Sequence, residues 1–246
     1  MNNLNTLLPQ LAERYETAAF ILDDPSQFMH RYKAPKHQER AAFIAAALSY
    51  GSRKQFIPRI DILLRDDKVL GADRPLPDND ECFYRLHTNR MVRRFINTID
   101  KIEATYGSLG EMMRHENIHT CLDAVKLITG YFAANGASDL IPKNTSSACK
   151  RVCMFMRWMV RDNSPVDLGL WSDQIDKSTL IMPMDTHVLQ EALRLGLIKS
   201  KTGSMATAIK LSNRLKEIFP DDPTKADFAL FGLGVDEAAN EEKTTV

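Results

Sequence analysis

The chain has 246 residues, enough for one large unit or two small interlocked ones with a core that needs no disulfide or metal staples. Apolar residues at 44% and charged residues at 26% are globular proportions, and a formal net charge of zero excludes a globally basic chain. The longest apolar run, Ala41 to Leu48, is too short for a membrane span of ~20 residues, and Met1 to Ala12 carries no basic start followed by an apolar block; a soluble, cytoplasmic chain with no membrane partner is expected.

Leu4, Leu7, Leu8, Leu11 and Tyr15 recur at spacings of three and four, which predicts a first helix. A second is expected from about Gln38 to Tyr50, stopped by Gly51, which reaches left-handed angles cheaply. A third runs from about Arg53 to Leu64, with Pro58 expected to delay its start or kink it. Gly71 to Asp80 is a loop by composition. Helices follow from about Thr88 to Tyr106 and from Cys121 to Ala134, and Asn135 to Ser147 is irregular. The next helix is capped by Ser146 or Ser147 and extends to about Arg161. A long connection, Asn163 to Pro183, leads to helices at about Thr186–Leu195, Met205–Phe219 and Thr224–Leu230. No strand alternation extends over five residues. The expected organisation is a single helical unit over 1–235 with an acidic, mobile tail over 236–246.

Cys82, Cys121, Cys149 and Cys153 show neither a secreted disulfide pattern nor zinc or iron–sulfur spacing, and read as small buried apolar residues. The six histidines show no metal-binding spacing, so no metal is expected.

Charge is uneven. Residues 141–220 carry 12 Lys/Arg against 7 Asp/Glu, so a local basic face is available there. At about 100° per residue, Lys150, Arg157 and Arg161 fall on one side of their helix, opposite Ala148, Val152, Phe155, Met156 and Met159. That stripe is either a solvated face or a surface that tracks a polyanion. Lys150 sits in the first helical turn, where the helix dipole and neighbouring Arg151 disfavour an ammonium ion; a neutral amine there is a nucleophile. Asp185 opens a helix directly after Met182-Pro183-Met184, the position of an N-cap, which also orients a carboxylate.

The segment Ile181-Met182-Pro183-Met184-Asp185-Thr186-His187-Val188, followed by Arg194-Leu195-Gly196-Leu197, is similar to the region that holds the catalytic aspartate in helix-hairpin-helix DNA glycosylases. Lys150-Arg151 resembles the place of the lysine in their bifunctional members. Ala41 to Arg53 resembles the early helix and turn that approach DNA. The resemblance extends over residues 36–235 and is specific around 147–197. The chain also looks like a bacterial family of uncharacterised proteins, through Ser147 to Arg161, Val166 to Trp171 and Asp227 to Gly234. It departs from the superfamily in the hairpin, which reads Ile141 to Ser147 without glycine, in the 35-residue separation of Lys150 from Asp185, and in lacking a C-terminal cysteine cluster. The archaeal oxidised-guanine glycosylase branch shares the first two departures.

The resemblance implies an all-α fold of two interlocked helical subdomains and N-glycosidic cleavage of a damaged base, with AP lyase activity. Lys150 would attack the anomeric carbon, Asp185 would accept its proton, and no cofactor would be required. It implies damaged duplex DNA as partner, phosphate contacts from Arg53, Lys143, Arg151, Arg157 and Arg161, and a base pocket drawn from Tyr50, Trp158, Trp171 and His187. Two other readings remain: a nucleic-acid-binding module of this fold without chemistry, and a helical protein unrelated to nucleic acid in which Asp185 is only a cap.

Overall fold

The computed structural model describes residues 4–65 and 76–234. The predicted loop at Gly71–Asp80 lies partly outside them, and the predicted acidic tail lies wholly outside. Among the described residues the chain is predominantly helical, and none of its helices is long and apolar enough to cross a membrane.

Helix α1 is Leu4–Tyr15 and α2 is Pro35–Leu48. Between them lie two short 3-10 segments, Ala18–Asp23 and Pro25–Arg31, which periodicity did not reveal. α3 is Arg53–Leu64; Pro58 sits inside it and does not delay its start. A small antiparallel hairpin follows, β1 (Cys82–Tyr84) and β2 (His87–Thr88). Then come α4 (Asn89–Tyr106), α5 (Leu109–His115), α6 (Cys121–Ala134), α7 (Lys150–Val160), α8 (Thr186–Arg194) and α9 (Met205–Leu215). Residues 226–234 form a further helix, α10.

The predicted boundaries hold where a cap is present. Thr88 caps α4 by accepting from the Met91 N–H, and Gly107 closes the helix at φ 94°. α2, which lacks a side-chain cap, starts at Pro35 and ends at Leu48, short of Gly51, and α9 ends at Leu215, short of Phe219; the start of α7 departs in kind. Neither Ser146 nor Ser147 caps it; the cap position is Cys149, at φ 47° and ψ 39°, with no side-chain bond to the helix. A left-handed non-glycine residue costs about 1 kcal/mol or more, so the chain enters α7 through a strained corner.

α2 and α7 form the centre. Every residue of α2 from Glu39 to Leu48 is buried, as is every residue of α7 from Val152 to Val160. The alanines of α2 present little bulk, so neighbouring helices approach closely and larger side chains interlock around them. Phe43 meets Phe155 of α7 with ring centroids 4.7 Å apart, and meets Phe95 of α4 and Phe132 of α6 at 5.4 Å each. The buried apolar side chains from Leu8 to Leu230, apart from Val166 and Phe228, join in one connected cluster. This packing fixes the N-terminal end of α7, and with it Lys150, against the turn that follows α2.

Candidate active site

The chain entering α7 is tied down before it turns helical. The Ala148 N–H donates to the Gly203 carbonyl at 3.3 Å, and Ser147 forms a bridge with Ser204. The Cys149 carbonyl then accepts from the Val152 and Cys153 N–H groups, which makes Lys150 the first residue of the helix. Buried Pro183 and Met184 bring a second chain segment alongside. It ends at Asp185, whose Oδ1 caps α8 by accepting from the Val188 N–H at 2.9 Å. Its Oδ2 lies 3.6 Å from Lys150 Nζ. One carboxylate therefore has two jobs: one oxygen holds the helix start and the other faces the amine.

Both groups line a cavity of about 570 Å³, within the ~300–1,000 Å³ of ordinary ligand sites. Its wall includes Tyr50, Gly51, Arg53, Arg151 and Asp24. A smaller hollow of about 120 Å³ shares Asp24, Arg53, Lys150 and Asp185 with it and adds Asp227 and His187. The larger cavity has three cationic side chains, Arg53, Lys150 and Arg151, against the carboxylates of Asp24 and Asp185. Both are half-open; Lys150 keeps about a third of its side chain exposed.

Tyr50 forms an aromatic wall. Its hydroxyl donates to the Tyr84 carbonyl at 3.1 Å, and the Tyr84 hydroxyl donates back to the Tyr50 carbonyl at 2.7 Å. His87 stands edge-on to the Tyr50 ring at 5.0 Å. Burial pulls the His87 imidazole below its ordinary pKa, with nearby Arg151 adding to the effect, so the ring stays neutral near pH 7. Arg151 donates to the Ala47 carbonyl and lies 5.4 Å from the Tyr50 ring centre, so it is part of the wall and not of the outer surface. Burial lowers the affinity of its guanidinium for a proton.

Arg157 and Arg161 correct the sequence reading. They do share a face with Lys150, but past the first turn of α7 that face is interior. Arg157 is 3% exposed and pairs with Asp227 and Asp167; Arg161 is 2% exposed and pairs with Glu16 at 2.8 Å, Asp167 at 2.5 Å and Asp222 at 2.8 Å. Burial opposes both charges, and the surrounding carboxylates outweigh it, raising both pKa values. Neither guanidinium is available to a phosphate. These pairs also explain why Asp167 and Asp227 stand where they do: they neutralise the buried end of α7.

Trp158 and Trp171 are likewise core residues and not walls of a base pocket. Trp158 is fully buried in α7. Trp171 stands perpendicular to Phe155 at 5.3 Å, and its indole N–H donates to Glu39 Oε2 at 3.1 Å. Their size and apolar area favour the interior, and periodicity alone did not separate core from cleft.

The other expected residues lie as follows. Arg53 is exposed at the start of α3, 3.6 Å from Asp24 Oδ2, and lines both hollows. Lys143 is exposed on the segment before α7, next to Pro142, which lines the cavity. His187 is exposed and borders the smaller hollow. Sequence reasoning missed Asp24 and Asp227. Asp24 is buried and caps a 3-10 segment by accepting from the Ser26 N–H at 3.0 Å; the Asp24-Pro25-Ser26 run carries that cap signal. Asp227 reaches the site from α10, more than 40 residues past Asp185, and no local signal marks it. Burial raises its carboxyl pKa, with Arg157 and Lys150 working the other way.

The chain matches, over residues 24–236, the model of a family described as "Protein of unknown function (DUF2400)". None of the curated proteins matches it. None of the solved structures does either. The matched span contains every residue of the cavity wall and most of the chain, and the protein belongs to the DUF2400 family.

Proposed function

We propose that the protein is a base-excision enzyme of the helix-hairpin-helix DNA glycosylase type, acting on a damaged base in duplex DNA with accompanying lyase chemistry. The observation that carries this reading is the pairing of Lys150 Nζ with Asp185 Oδ2 at 3.6 Å in the wall of one open cavity. An amine beside a carboxylate, at a site broad enough for an extruded nucleotide, is the constellation that nucleophilic cleavage of a glycosidic bond requires.

In this reading Asp185 takes a proton from the Lys150 ammonium, and the neutral amine attacks the anomeric carbon of the sugar. A nitrogen–carbon bond forms as the carbon–base bond breaks, and the base leaves with the bonding pair and a proton. The same carboxylate offsets positive charge on the sugar as the base departs. The attached nitrogen gives one proton to the departing base, and the proton held by Asp185 passes to the ring oxygen as the sugar's carbon–oxygen bond opens, which leaves a protonated Schiff base; loss of a proton from the neighbouring sugar carbon then expels the 3′ phosphate by β-elimination and cleaves the strand. Tyr50 supplies a face against which an extruded base stacks. Arg53 and Lys143 are the exposed cations placed to meet phosphates.

Duplex oligonucleotides bearing single damaged bases, oxidised purines first, test this directly. The wild-type chain nicks at least one of them without added metal. Lys150→Ala binds the same duplex and does not nick it. Wild-type protein that binds the panel without nicking any member would instead favour a binding module of the same fold.

A further inference from the structure

The basic surplus of residues 141–220 is only partly interior. Arg157 and Arg161 carry a share of it into the core, but six of its 12 cations fall within 192–216, a stretch with no Asp or Glu. That stretch holds the end of α8, the loop over 195–204 and α9. Arg194 and Arg214 pair with Glu191 and Glu217 just outside its two ends. Lys199, Lys201, Lys210 and Lys216 have no carboxylate partner among the described residues. Acidic and basic residues are equal in number over the whole chain. Interspersed signs are favourable on a surface and like charges repel, so a one-sign stretch is not selected by stability.

The loop is ordered and attached to the site. Ser200 Oγ accepts from the Thr202 N–H at 3.3 Å and from the Thr207 hydroxyl of α9 at 3.2 Å. Lys199 and Lys201 therefore flank a residue fixed against the first turn of α9, and both are exposed. The positive end of the α9 dipole disfavours cations there, so neither lysine is placed for the benefit of its own helix. Lys210 is exposed on α9 in one stripe with Ala206 and Asn213. At the far end of the loop, Gly203 lines the cavity that holds Lys150 and Asp185, and its carbonyl accepts from the Ala148 N–H at 3.3 Å. An acid-free cationic surface therefore starts at the rim of that cavity.

We propose that the α8–α9 loop and the exposed stripe of α9 hold the phosphate backbone of the duplex flanking the cavity, through Lys199, Lys201 and Lys210. The proposal rests on the DNA reading of the cavity. The stretch Ile141 to Ser147 has no glycine to let backbone N–H groups close on a phosphate, so side-chain cations must carry the anchoring. The chemistry of the surface favours a phosphate backbone over an acidic protein. No large apolar side chain is exposed on it, and protein interfaces need such anchors. Backbone phosphates need only cations and polar groups.

The test measures binding of the full chain to a duplex with a central tetrahydrofuran abasic analogue, and to poly-glutamate, over a series of salt concentrations. The Lys199→Gln/Lys201→Gln variant is expected to bind the duplex about tenfold more weakly at low salt. Its slope of log affinity against log salt is expected to be shallower by about two, and that of Lys210→Gln by about one. Lys199→Arg/Lys201→Arg keeps the wild-type slope. So does Lys101→Gln/Lys126→Gln, which removes exposed cations from α4 and α6. A wild-type slope in the first variant would overturn the surface and leave the DNA reading standing. An equal loss in the α4 and α6 variant would reduce the effect to overall charge and overturn the surface likewise. Wild-type protein that binds poly-glutamate and not the duplex, through Lys199 and Lys201, would assign the surface to an acidic protein and overturn the proposal. Wild-type protein that binds neither would remove the DNA reading, and this surface with it.

Discussion

Asp185 separates structure from chemistry, because its two oxygens face different partners. Asparagine caps a helix about as well as aspartate but accepts no proton. Asp185→Asn is therefore expected to unfold at nearly the wild-type denaturant midpoint while nicking falls by roughly 10²–10⁴-fold, the usual scale of a lost general base. Asp185→Ala removes the cap as well and costs about 1 kcal/mol, read as a lower midpoint. The arginines divide in the same way. Arg161→Ala removes the cation that Glu16, Asp167 and Asp222 share and leaves Asp167 to Arg157, and breaking a buried network of this kind costs about 3–5 kcal/mol. Arg53→Ala removes an exposed charge, and its stability is expected to stay within about 0.5 kcal/mol of wild type. In the DNA reading it lowers the slope of log affinity against log salt by about one. A helical wheel places Lys150, Arg157 and Arg161 together but does not say which part of the face is wet. That depends on Glu16, Asp167, Asp222 and Asp227, which come from three separate stretches of chain.

Among elements, the long helices were legible because local chemistry marks their ends: Thr88 and Gly107 for α4, Thr120 for α6, Asp185 for α8, Ser204 for α9. The short ones were not. α5 has seven residues and a serine cap, too little for a periodic signal, and its first N–H groups are held by Glu39 from α2. The hairpin was invisible because its strands have three and two residues and its turn lacks the usual residues. The start of α7 was misplaced because a strained cysteine, and no serine, occupies its cap. Gly51 links these elements. Gly51→Ala forces a side chain into a left-handed position and against Arg85, and is expected to cost about 1–3 kcal/mol, measured by urea unfolding.

For the molecule as a whole, the buried carboxylate of Glu39 joins three parts of the fold. It accepts from the Leu109 and Gly110 N–H groups of α5 and from the Trp171 indole, and its own helix, α2, packs on α7. Burial raises its pKa from 4.5 to about 7, against the pull of those three donors. The folded state thus binds this proton more tightly than the unfolded state does. Its stabilising contribution is complete below pH 4.5 and is lost as pH rises through about 7, a change of roughly 3 kcal/mol. Chemical unfolding at pH 4.5 and pH 7.5 measures this: the loss of stability between them is expected to be smaller in Glu39→Gln than in wild type. One cavity gathers groups from the turn after α2, from α3, from α7 and from the start of α8, and the hollow beside it adds Asp227 of α10. Lys150 and Asp185 were legible as helix starts, and the resemblance paired them; residue patterns alone do not show their meeting, because the body of α7 and the mostly irregular chain over 161–184, with the 3-10 segment Lys177–Thr179, lie between them. The most direct measurement of that meeting is borohydride reduction of the wild-type protein during reaction with damaged duplex, followed by peptide mass mapping. A covalent sugar adduct is expected on the peptide that carries Lys150; an adduct on another lysine would overturn the pairing of Lys150 with Asp185 as the reaction centre, as would the lack of any adduct on a substrate that is being nicked.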